Sequence, residues 1–232
     1  MRLSILIYDG LTTLDAIGGY EILARLPGME TEFVAAQRGI VAADTRRLGL
    51  AAFRDFSEVT ATDILYVPGG PGAFALEKDE AFLDTVRRLD HTSTWTVGIC
   101  NGVGLLAAAG LLKGRKATTN WFYQDRLRAY GTEFVAERYH RDGKYITGAG
   151  VSASIDTGLF LTSLIAGEQV AKTLQLGIEY YPAPPFPEQR PQDVAVEIQE
   201  RIRRFESEGG KKQLAMEPAF KGMFELSRSA HG

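Results

Sequence analysis

The chain has 232 residues, of which 45% are hydrophobic and 24% charged, and its formal net charge is -3. This balance is typical of one globular domain with additional segments, and it excludes disordered, collagen-like and fibrous chains. The slightly acidic charge provides no electrostatic attraction to nucleic acid or to an anionic membrane surface. The single cysteine cannot form an internal disulfide, so the composition does not indicate a secreted, disulfide-rich protein.

Two apolar stretches resemble targeting or membrane segments by length alone. The run 3–8 is too short for a signal peptide, and no small-residue cleavage site follows it. The stretch 91–112 contains no Asp, Glu, Lys or Arg, but its hydroxyl residues, asparagine and glycines break both the hydropathy and the helix. A buried strand followed by a buried helix explains this stretch better. We therefore expect a soluble, cytoplasmic protein.

The first half of the chain alternates short, buried strands with amphipathic helices. This rhythm predicts a mostly parallel sheet with helices on both faces. The predicted strands and helices are, in chain order, a strand over 3–8, a helix over 14–26, a strand over 32–36, a strand over 64–67, a helix over 79–89, a strand over 95–99 and a helix over 103–112.

The second half begins with a hairpin and two helices. The pair Asp142-Gly143 lies between two β-rich runs and predicts a hairpin turn. Ser154 or Asp156 is expected to cap a helix that runs to residue 165, and a second helix is expected over 168–178.

A proline-rich segment over 182–187 then forces an extended chain, and a charged amphipathic helix follows over 192–205. We expect residues 1–190 to form the main domain. Residues 191–232 are too few for a second domain, and we expect them to form a helical arm that packs on the domain or on a dimer partner.

The segment Gly98-Ile99-Cys100-Asn101-Gly102 places a cysteine between two glycines where a buried strand meets a helix. This is the nucleophile-elbow pattern, with sulfur in place of the more familiar serine oxygen. The sharp turn strains the backbone of the cysteine, and the first N–H groups of the helix are expected to lower the pKa of its thiol. An isolated cysteine is more often an inert small hydrophobe, but this spacing predicts a reactive thiol.

The loop Pro68-Gly69-Gly70-Pro71-Gly72 follows the preceding strand and therefore lies at the same carboxyl edge of the sheet. The N–H groups of Gly69 and Gly70 could stabilise a developing anion, as an oxyanion hole requires. A simple tight turn is the alternative interpretation.

A cysteine hydrolase requires a histidine base, and the three histidines fit poorly. His91 is expected to open the strand that leads to Cys100, at the opposite end of the sheet. His140 lies in the predicted hairpin and His231 is the penultimate residue. The position after the cysteine is Asn101, so a Cys-His dyad is poorly supported and an acidic partner is needed.

Asp15 is the main candidate for that partner, because it follows the first strand at the start of a helix near the carboxyl edge. An acid beside a thiol could donate a hydrogen bond or activate water if burial raises its pKa. An ordinary acidic residue in the first turn of a helix remains the alternative. Glu21 is the second candidate, and Asp156 is expected to be a helix-terminus residue.

With a Pro-Gly-Gly loop upstream and an acid after the first strand, the Gly98–Gly102 segment resembles the ThiJ/PfpI superfamily. Its members share the flavodoxin-like, class I glutamine amidotransferase-like fold, a three-layer α/β sandwich. Within this superfamily the chain is similar to the isonitrile (isocyanide) hydratases, and the resemblance extends from about residue 3 to residue 186. The stretches that carry this similarity are Leu14–Gly18, Gly110–Trp121 and Gly177–Phe186.

The resemblance implies that Cys100 is the nucleophile and Asp15 the general acid and base. The thiolate would attack the terminal carbon of an isocyanide, and water would then release an N-substituted formamide. The N–H groups of Gly70 and Asn101, with Gly69 beside them, would form the oxyanion-type site. The resemblance implies no metal or organic cofactor, a small-molecule substrate and a homodimer.

Three positions depart from the hydratase pattern. Asn101 replaces the usual threonine after the cysteine, Asn120 replaces a histidine, and Gly19 replaces a proline. A changed substrate, or loss of the hydratase activity, would follow if these positions shape the pocket.

Other functions therefore remain open. They are a cysteine redox sensor, a deglycase or other carbonyl-processing protein, and a binding domain derived from a transcription regulator. For the last of these, residues 191–232 are too few for the paired helix-turn-helix unit that binds DNA.

Overall fold

The structure is a computed structural model that describes residues 1–186 and 190–204. In chain order the strands are β1 (Arg2–Leu6), β2 (Glu30–Ala35), β3 (Gly39–Ala42), β4 (Gly49–Ala52), β5 (Arg54–Asp55), β6 (Ile64–Val67), β7 (Trp95–Ile99), β8 (Lys116–Ala117), β9 (Glu133–Phe134), β10 (Tyr139–Asp142) and β11 (Tyr145–Gly148). The α-helices are α1 (Thr13–Leu23), α2 (Ala73–Leu76), α3 (Glu80–Thr92), α4 (Gly102–Ala108), α5 (Gln124–Ala129), α6 (Ala153–Ala166), α7 (Glu168–Gly177) and α8 (Val196–Arg204). Two 3-10 turns cover Trp121–Tyr123 and Pro191–Asp193.

Seven strands form the central sheet in the order β10-β11-β7-β6-β1-β2-β5. β10 pairs with β11 in the antiparallel sense, and the other neighbours in this sheet are parallel. From β1 the chain moves to β2 on one side, whereas from β6 it moves to β7 in the opposite direction. Because such crossovers are right-handed, the helices after β1 and β6 cover opposite faces. α1 packs against α6, and α3 packs against α4, which confirms the predicted flavodoxin-like α/β sandwich.

The direction of the chain reverses between β1 and β6, and this switch point opens a crevice at the carboxyl edge of the sheet. β6 lies between β1 and β7, with Tyr66 opposite Ile5 and Val67 opposite Gly98. The segments that follow these three adjacent strands therefore meet at one place. These segments carry Asp15, the Gly-rich loop and Cys100.

The strands at this switch point are apolar because helices cover both of their faces. Every residue of β6 is buried, and the largest fully buried side chains include Ile5, Leu6, Tyr66 and Ile99. The predicted strands over 64–67 and 95–99 have the same bounds in the structure. The helix predicted over 103–112 ends earlier, because α4 gives way to turns after residue 108.

Two predictions about helix ends were wrong. His91 lies in the last turn of α3 and does not open β7, because α3 extends three residues further than predicted. The N-cap of α6 is Ser152, so neither Ser154 nor Asp156 caps this helix. The hydroxyl of Ser154 instead donates to the carbonyl oxygen of Leu14 and joins α6 to α1.

The hairpin at Asp142-Gly143 is confirmed, and Gly143 has the positive φ of 64° that its turn requires. The short strands β3, β4, β5, β8 and β9 were not predicted, because their sequences show neither long apolar runs nor clear alternation. Within residues 1–186 and 190–204, no helix is both long and apolar enough to cross a membrane.

The helix predicted over 192–205 corresponds to a 3-10 turn followed by α8. The guanidinium of Arg203 lies 4.9 Å from the centre of the Trp121 ring, so this part of the arm contacts the main domain. Residues 205–232, including His231, lie outside the described residues.

Candidate active site

Cys100 occupies the turn between β7 and α4 and has a φ of 54°. A non-glycine residue in this left-handed region is strained, so the surrounding structure must hold it there. The N–H of Cys100 donates to the carbonyl of Gly148 at 2.9 Å, and its carbonyl accepts from the Thr119 hydroxyl at 2.7 Å. The residue is only 5% exposed. The predicted strand-to-helix turn is therefore present and is fixed on both sides.

Gly150 lies directly against Cys100, after the end of β11. A Cβ atom on Gly150 would lie 2.6 Å from the Cβ and 3.0 Å from the Sγ of Cys100, and the φ of Gly150 is 95°. Only glycine fits this position without displacing the cysteine. Sequence reasoning missed Gly150 and Thr119. The Gly-Ala-Gly run at the end of a predicted strand was the available signal.

Asp15 lies in the first turn of α1, and its side chain is fully buried. Its Oδ2 accepts a hydrogen bond from the N–H of Gly69 at 2.9 Å. Its backbone carbonyl accepts from the Tyr66 hydroxyl at 2.8 Å. These contacts hold the carboxyl group between α1, the Gly-rich loop and the central strand β6.

The pKa of Asp15 is raised from 3.8 to about 8, chiefly by burial and to a smaller extent by the negative charge of Asp44. The N–H of Gly69 and the thiol of Cys100 act on the same carboxyl group and lower its pKa. Burial is the largest effect, because a carboxylate loses its hydration in the apolar interior. At neutral pH, Asp15 is therefore a neutral carboxylic acid beside a thiol.

The second carboxyl oxygen of Asp15, Oδ1, is buried and accepts no hydrogen bond from the residues that the structure describes. Buried polar atoms normally have a partner. This oxygen is thus available to exchange a proton with a bound molecule, and the raised pKa lets the group act as an acid at neutral pH.

Asn101 joins the cysteine turn to the Gly-rich loop. Its Oδ1 accepts from the N–H of Gly70 at 2.6 Å, and its Nδ2 donates to the carbonyl of Gly70 at 2.9 Å. The N–H groups of Gly69 and Gly70 are thus both directed at side chains of the site. The oxyanion role predicted for them stays a prediction, and it requires Gly70 to release Asn101.

Tyr8 is a further residue of the site that sequence reasoning did not identify. Its buried hydroxyl donates to the carbonyl of Pro68 at 2.7 Å. Burial raises the pKa of Tyr8 well above its usual range, and Asp15 and Cys100 add to the effect once they are ionised at high pH. Tyr8 is therefore a permanently neutral donor that supports the Gly-rich loop.

The other candidate residues have partners elsewhere. Glu21 forms an ion pair with Arg25 near the surface, and the Nδ1 of His140 lies 2.7 Å from a carboxylate oxygen of Glu137. Asp156 lies in the first turn of α6, as expected of a helix-terminus residue, and pairs with Arg138. No group of three or more His, Cys, Asp or Glu side chains among the described residues is placed to hold a metal ion.

The fold and the site define a class of flavodoxin-like α/β proteins in which a cysteine on a strand-to-helix turn lies beside a buried carboxyl group. Comparison with known families agrees with this description. The chain belongs to the DJ-1/PfpI family, whose model matches residues 1–164.

Three known proteins illustrate the similarity. Isonitrile hydratase from Pseudomonas putida is 36% identical over 205 residues, which cover 87% of this chain and 90% of that protein. A crystal structure of a THiJ/PfpI family protein from Pseudomonas syringae matches with a TM-score of 0.84 and 30% identity, covering 93% of this chain and 89% of the other. A deglycase from Thermococcus kodakarensis is 27% identical over 151 residues, 63% of this chain and 89% of that protein.

Proposed function

We propose that the protein is an isonitrile hydratase, which adds water to the terminal carbon of an isocyanide and releases an N-substituted formamide. The observation that carries this proposal is the neutral Asp15 carboxyl group buried beside the Cys100 thiol. The similarity to the Pseudomonas putida enzyme over nearly its whole length supports it.

In the first step, the sulfur of Cys100 forms a bond to the terminal carbon of the isocyanide. That carbon takes a proton from the carboxyl group of Asp15, which is protonated because burial raises its pKa to about 8. The proton of the thiol passes to Asp15 as the sulfur attacks, so Asp15 ends the step protonated. The net change is the addition of sulfur and hydrogen to the terminal carbon. The product is a thioimidate, in which carbon carries hydrogen and sulfur and is doubly bonded to nitrogen.

In the second step, water adds to the thioimidate carbon. Asp15, which the thiol proton has left in its acid form, donates a proton to the nitrogen while it accepts one from the attacking water, and a tetrahedral intermediate forms. The carbon–sulfur bond then breaks, the second water proton returns to sulfur through Asp15, and the formamide leaves. The Oδ1 of Asp15 supports this role, because this oxygen has no hydrogen-bond partner among the described residues.

The test is formamide production from cyclohexyl isocyanide by wild type and variants. We expect Cys100→Ala to lower kcat/KM by about a thousandfold or more, since it removes the nucleophile. We expect Asp15→Ala to lower it by about a hundredfold or more, the usual contribution of a general acid or base. Glu21→Gln is the matched control, because Glu21 is a partly exposed acid of the same helix and should leave turnover unchanged.

Mass spectrometry of the Asp15→Asn variant provides a second readout. If hydrolysis slows more than attack, the thioimidate should accumulate as an adduct equal to the mass of one substrate molecule, located on Cys100. Turnover that survives in Cys100→Ala would contradict the proposal.

A carbonyl-processing or redox role for the same cysteine is the alternative, since the chain is also similar to a deglycase. The same assay series distinguishes these functions. Turnover of a glyoxal-modified amine without isocyanide hydration indicates a deglycase. Oxidation of Cys100 by peroxide once per chain, without turnover of either substrate, indicates a sensor.

We also propose that the protein is a cytoplasmic homodimer, as the family resemblance implies. Light scattering during size-exclusion chromatography tests the assembly. A mass twice that of the chain is expected, and a monomer at micromolar concentration would contradict it.

A further inference from the structure

A cleft of about 860 Å³ lies beside the cysteine turn. One wall is the segment 118–121, a second is 136–139, and the third comes from residues 190–203 of the C-terminal arm. Two residues of the cleft touch Cys100 directly. They are Thr119, which donates to its carbonyl, and Gly150, whose missing side chain makes room for its sulfur.

The cleft combines flat apolar surfaces with positive charge. Trp121 and Phe134 line it, and so do Arg190 and Arg203. The guanidinium of Arg203 lies 4.9 Å from the centre of the Trp121 ring, so charge and ring face the same space. Within residues 1–186 and 190–204, neither of these arginines forms an ion pair with a carboxylate. By contrast, Arg138 at the opposite wall is bound by Asp156.

Asn120 gives the cleft a third feature. Its Oδ1 is buried and has no hydrogen-bond donor among the residues that the structure describes. A buried acceptor without a partner calls for an N–H or O–H group on a ligand. Asn120 follows Thr119 in the chain, so this acceptor lies close to the cysteine turn. The N–H that forms on nitrogen as water adds to the substrate has the chemistry that this acceptor requires.

We propose that this cleft binds the organic part of the substrate, and that the preferred substrate is an isocyanide with an aromatic body and a carboxylate. The aromatic ring would lie against Trp121, and the carboxylate would bind Arg190 and Arg203 by charge-assisted hydrogen bonds. The volume of the cleft suits a ligand of this size. This inference rests on the proposed hydratase function.

The first experiment compares hydration of 4-isocyanobenzoate with that of its methyl ester, which has the same ring and no charge. Wild type should favour the acid by about tenfold in kcat/KM, as expected for two partly exposed ion pairs. In the Arg190→Gln/Arg203→Gln variant, this preference should fall to about one through a higher KM for the acid, with kcat retained.

The matched control is Arg141→Gln. Arg141 is an exposed arginine whose guanidinium also lies 4.9 Å from the centre of a tryptophan ring, that of Trp95, outside the cleft. This variant should keep the preference for the acid. Equal rates for acid and ester in wild type, or the same loss in Arg141→Gln, would overturn the inference.

A binding experiment separates this inference from the proposed function. Isothermal titration with 4-formamidobenzoate and with formanilide needs no turnover and can be made on Cys100→Ala. Tighter binding of the acid, lost in the Arg190→Gln/Arg203→Gln variant, supports the cleft even if no isocyanide is hydrated. Equal or absent binding of the two compounds overturns the cleft, even if hydration of cyclohexyl isocyanide is observed.

Discussion

The side chain of Asn101 forms two hydrogen bonds with the backbone of Gly70: its Oδ1 accepts from the N–H at 2.6 Å, and its Nδ2 donates to the carbonyl at 2.9 Å. Both residues are buried. This pair joins the cysteine turn to the Gly-rich loop, and the N–H of Gly69 in the same loop joins it to Asp15. The thiol and the carboxyl group are therefore held in place by one connected set of backbone and side-chain contacts.

Loss of this pair should destabilise the fold. Asn101→Ala leaves the N–H of Gly70 buried without a partner, whereas the Gly70 carbonyl still accepts from the N–H of Ala73. We therefore expect the free energy of unfolding to fall by about 1–3 kcal/mol. Asn120→Ala is the matched control, because the side-chain oxygen of Asn120 has no donor to lose among the described residues. That variant should change stability by less than about 0.5 kcal/mol. Urea denaturation measures both, and equal effects would show that the Asn101 pair is not stabilising.

The raised pKa of Asp15 should make stability depend on pH. The folded protein holds this proton with a pKa of about 8, against an ordinary value of 3.8 for an aspartate in the unfolded chain. The contribution of protonated Asp15 to the free energy of unfolding is therefore fully present below about pH 4, and it is lost as the pH rises through about 8. In Asp15→Asn the side chain cannot ionise. The stability of wild type relative to this variant should fall between about pH 5 and pH 8, by at most about 1.4 kcal/mol per pH unit.

Chemical denaturation of both proteins at several pH values measures this difference, and the other carboxyl groups cancel in the comparison. A difference that stays constant from about pH 5 to pH 8 would mean that Asp15 ionises at its ordinary pKa in the folded protein.

The same group should shape the pH dependence of the reaction. If Asp15 donates the proton to the isocyanide carbon, it must be protonated before the first step, so kcat/KM should decline as the pH rises through about 8. Asp15→Asn should have low activity and lack this decline. Initial rates of formamide production across that range measure the profile. A rate that rises through about pH 8 would instead assign Asp15 the role of a base alone.

The close approach of Gly150 to Cys100 should be essential for the position of the thiol. Gly150→Ala brings a Cβ within 3.0 Å of Sγ and should lower kcat/KM by about tenfold or more. Gly110→Ala is the control, since Gly110 also has a positive φ, of 83°, but nothing lies within 4 Å of its added Cβ. Both variants should lose about 1–2 kcal/mol of stability from backbone strain, and Gly150→Ala should lose more because its Cβ displaces Cys100. Only Gly150→Ala should lose activity. Equal kcat/KM values for the two variants would show that the contact between Gly150 and Cys100 does not position the thiol.

The strands at the switch point and the segments that follow them were predictable from the sequence. Two kinds of local signal made this possible: the apolar runs over 64–67 and 95–99, and the glycines around Cys100. Buried strands require apolar residues and tight turns require glycine, so both can be recognised from a short stretch of sequence. Since parallel strands present their carboxyl ends at one edge, the sequence also placed Asp15 and Cys100 at the same end of the sheet. The short strands between residues 39 and 55 carried no such signal.

What the sequence determined by itself was therefore the α/β rhythm, the cysteine at a strand-to-helix turn and an acid near the same edge. Only the tertiary structure decided that Asp15 is fully buried and that Asn101 binds Gly70. It also decided that Gly150 backs the thiol, and that the C-terminal arm completes a cleft. These properties depend on residues far apart in the chain that meet where α1, the Gly-rich loop and β11 converge. The pKa of Asp15 follows the same rule, because desolvation is set by every element that covers a group and not by its neighbours in sequence.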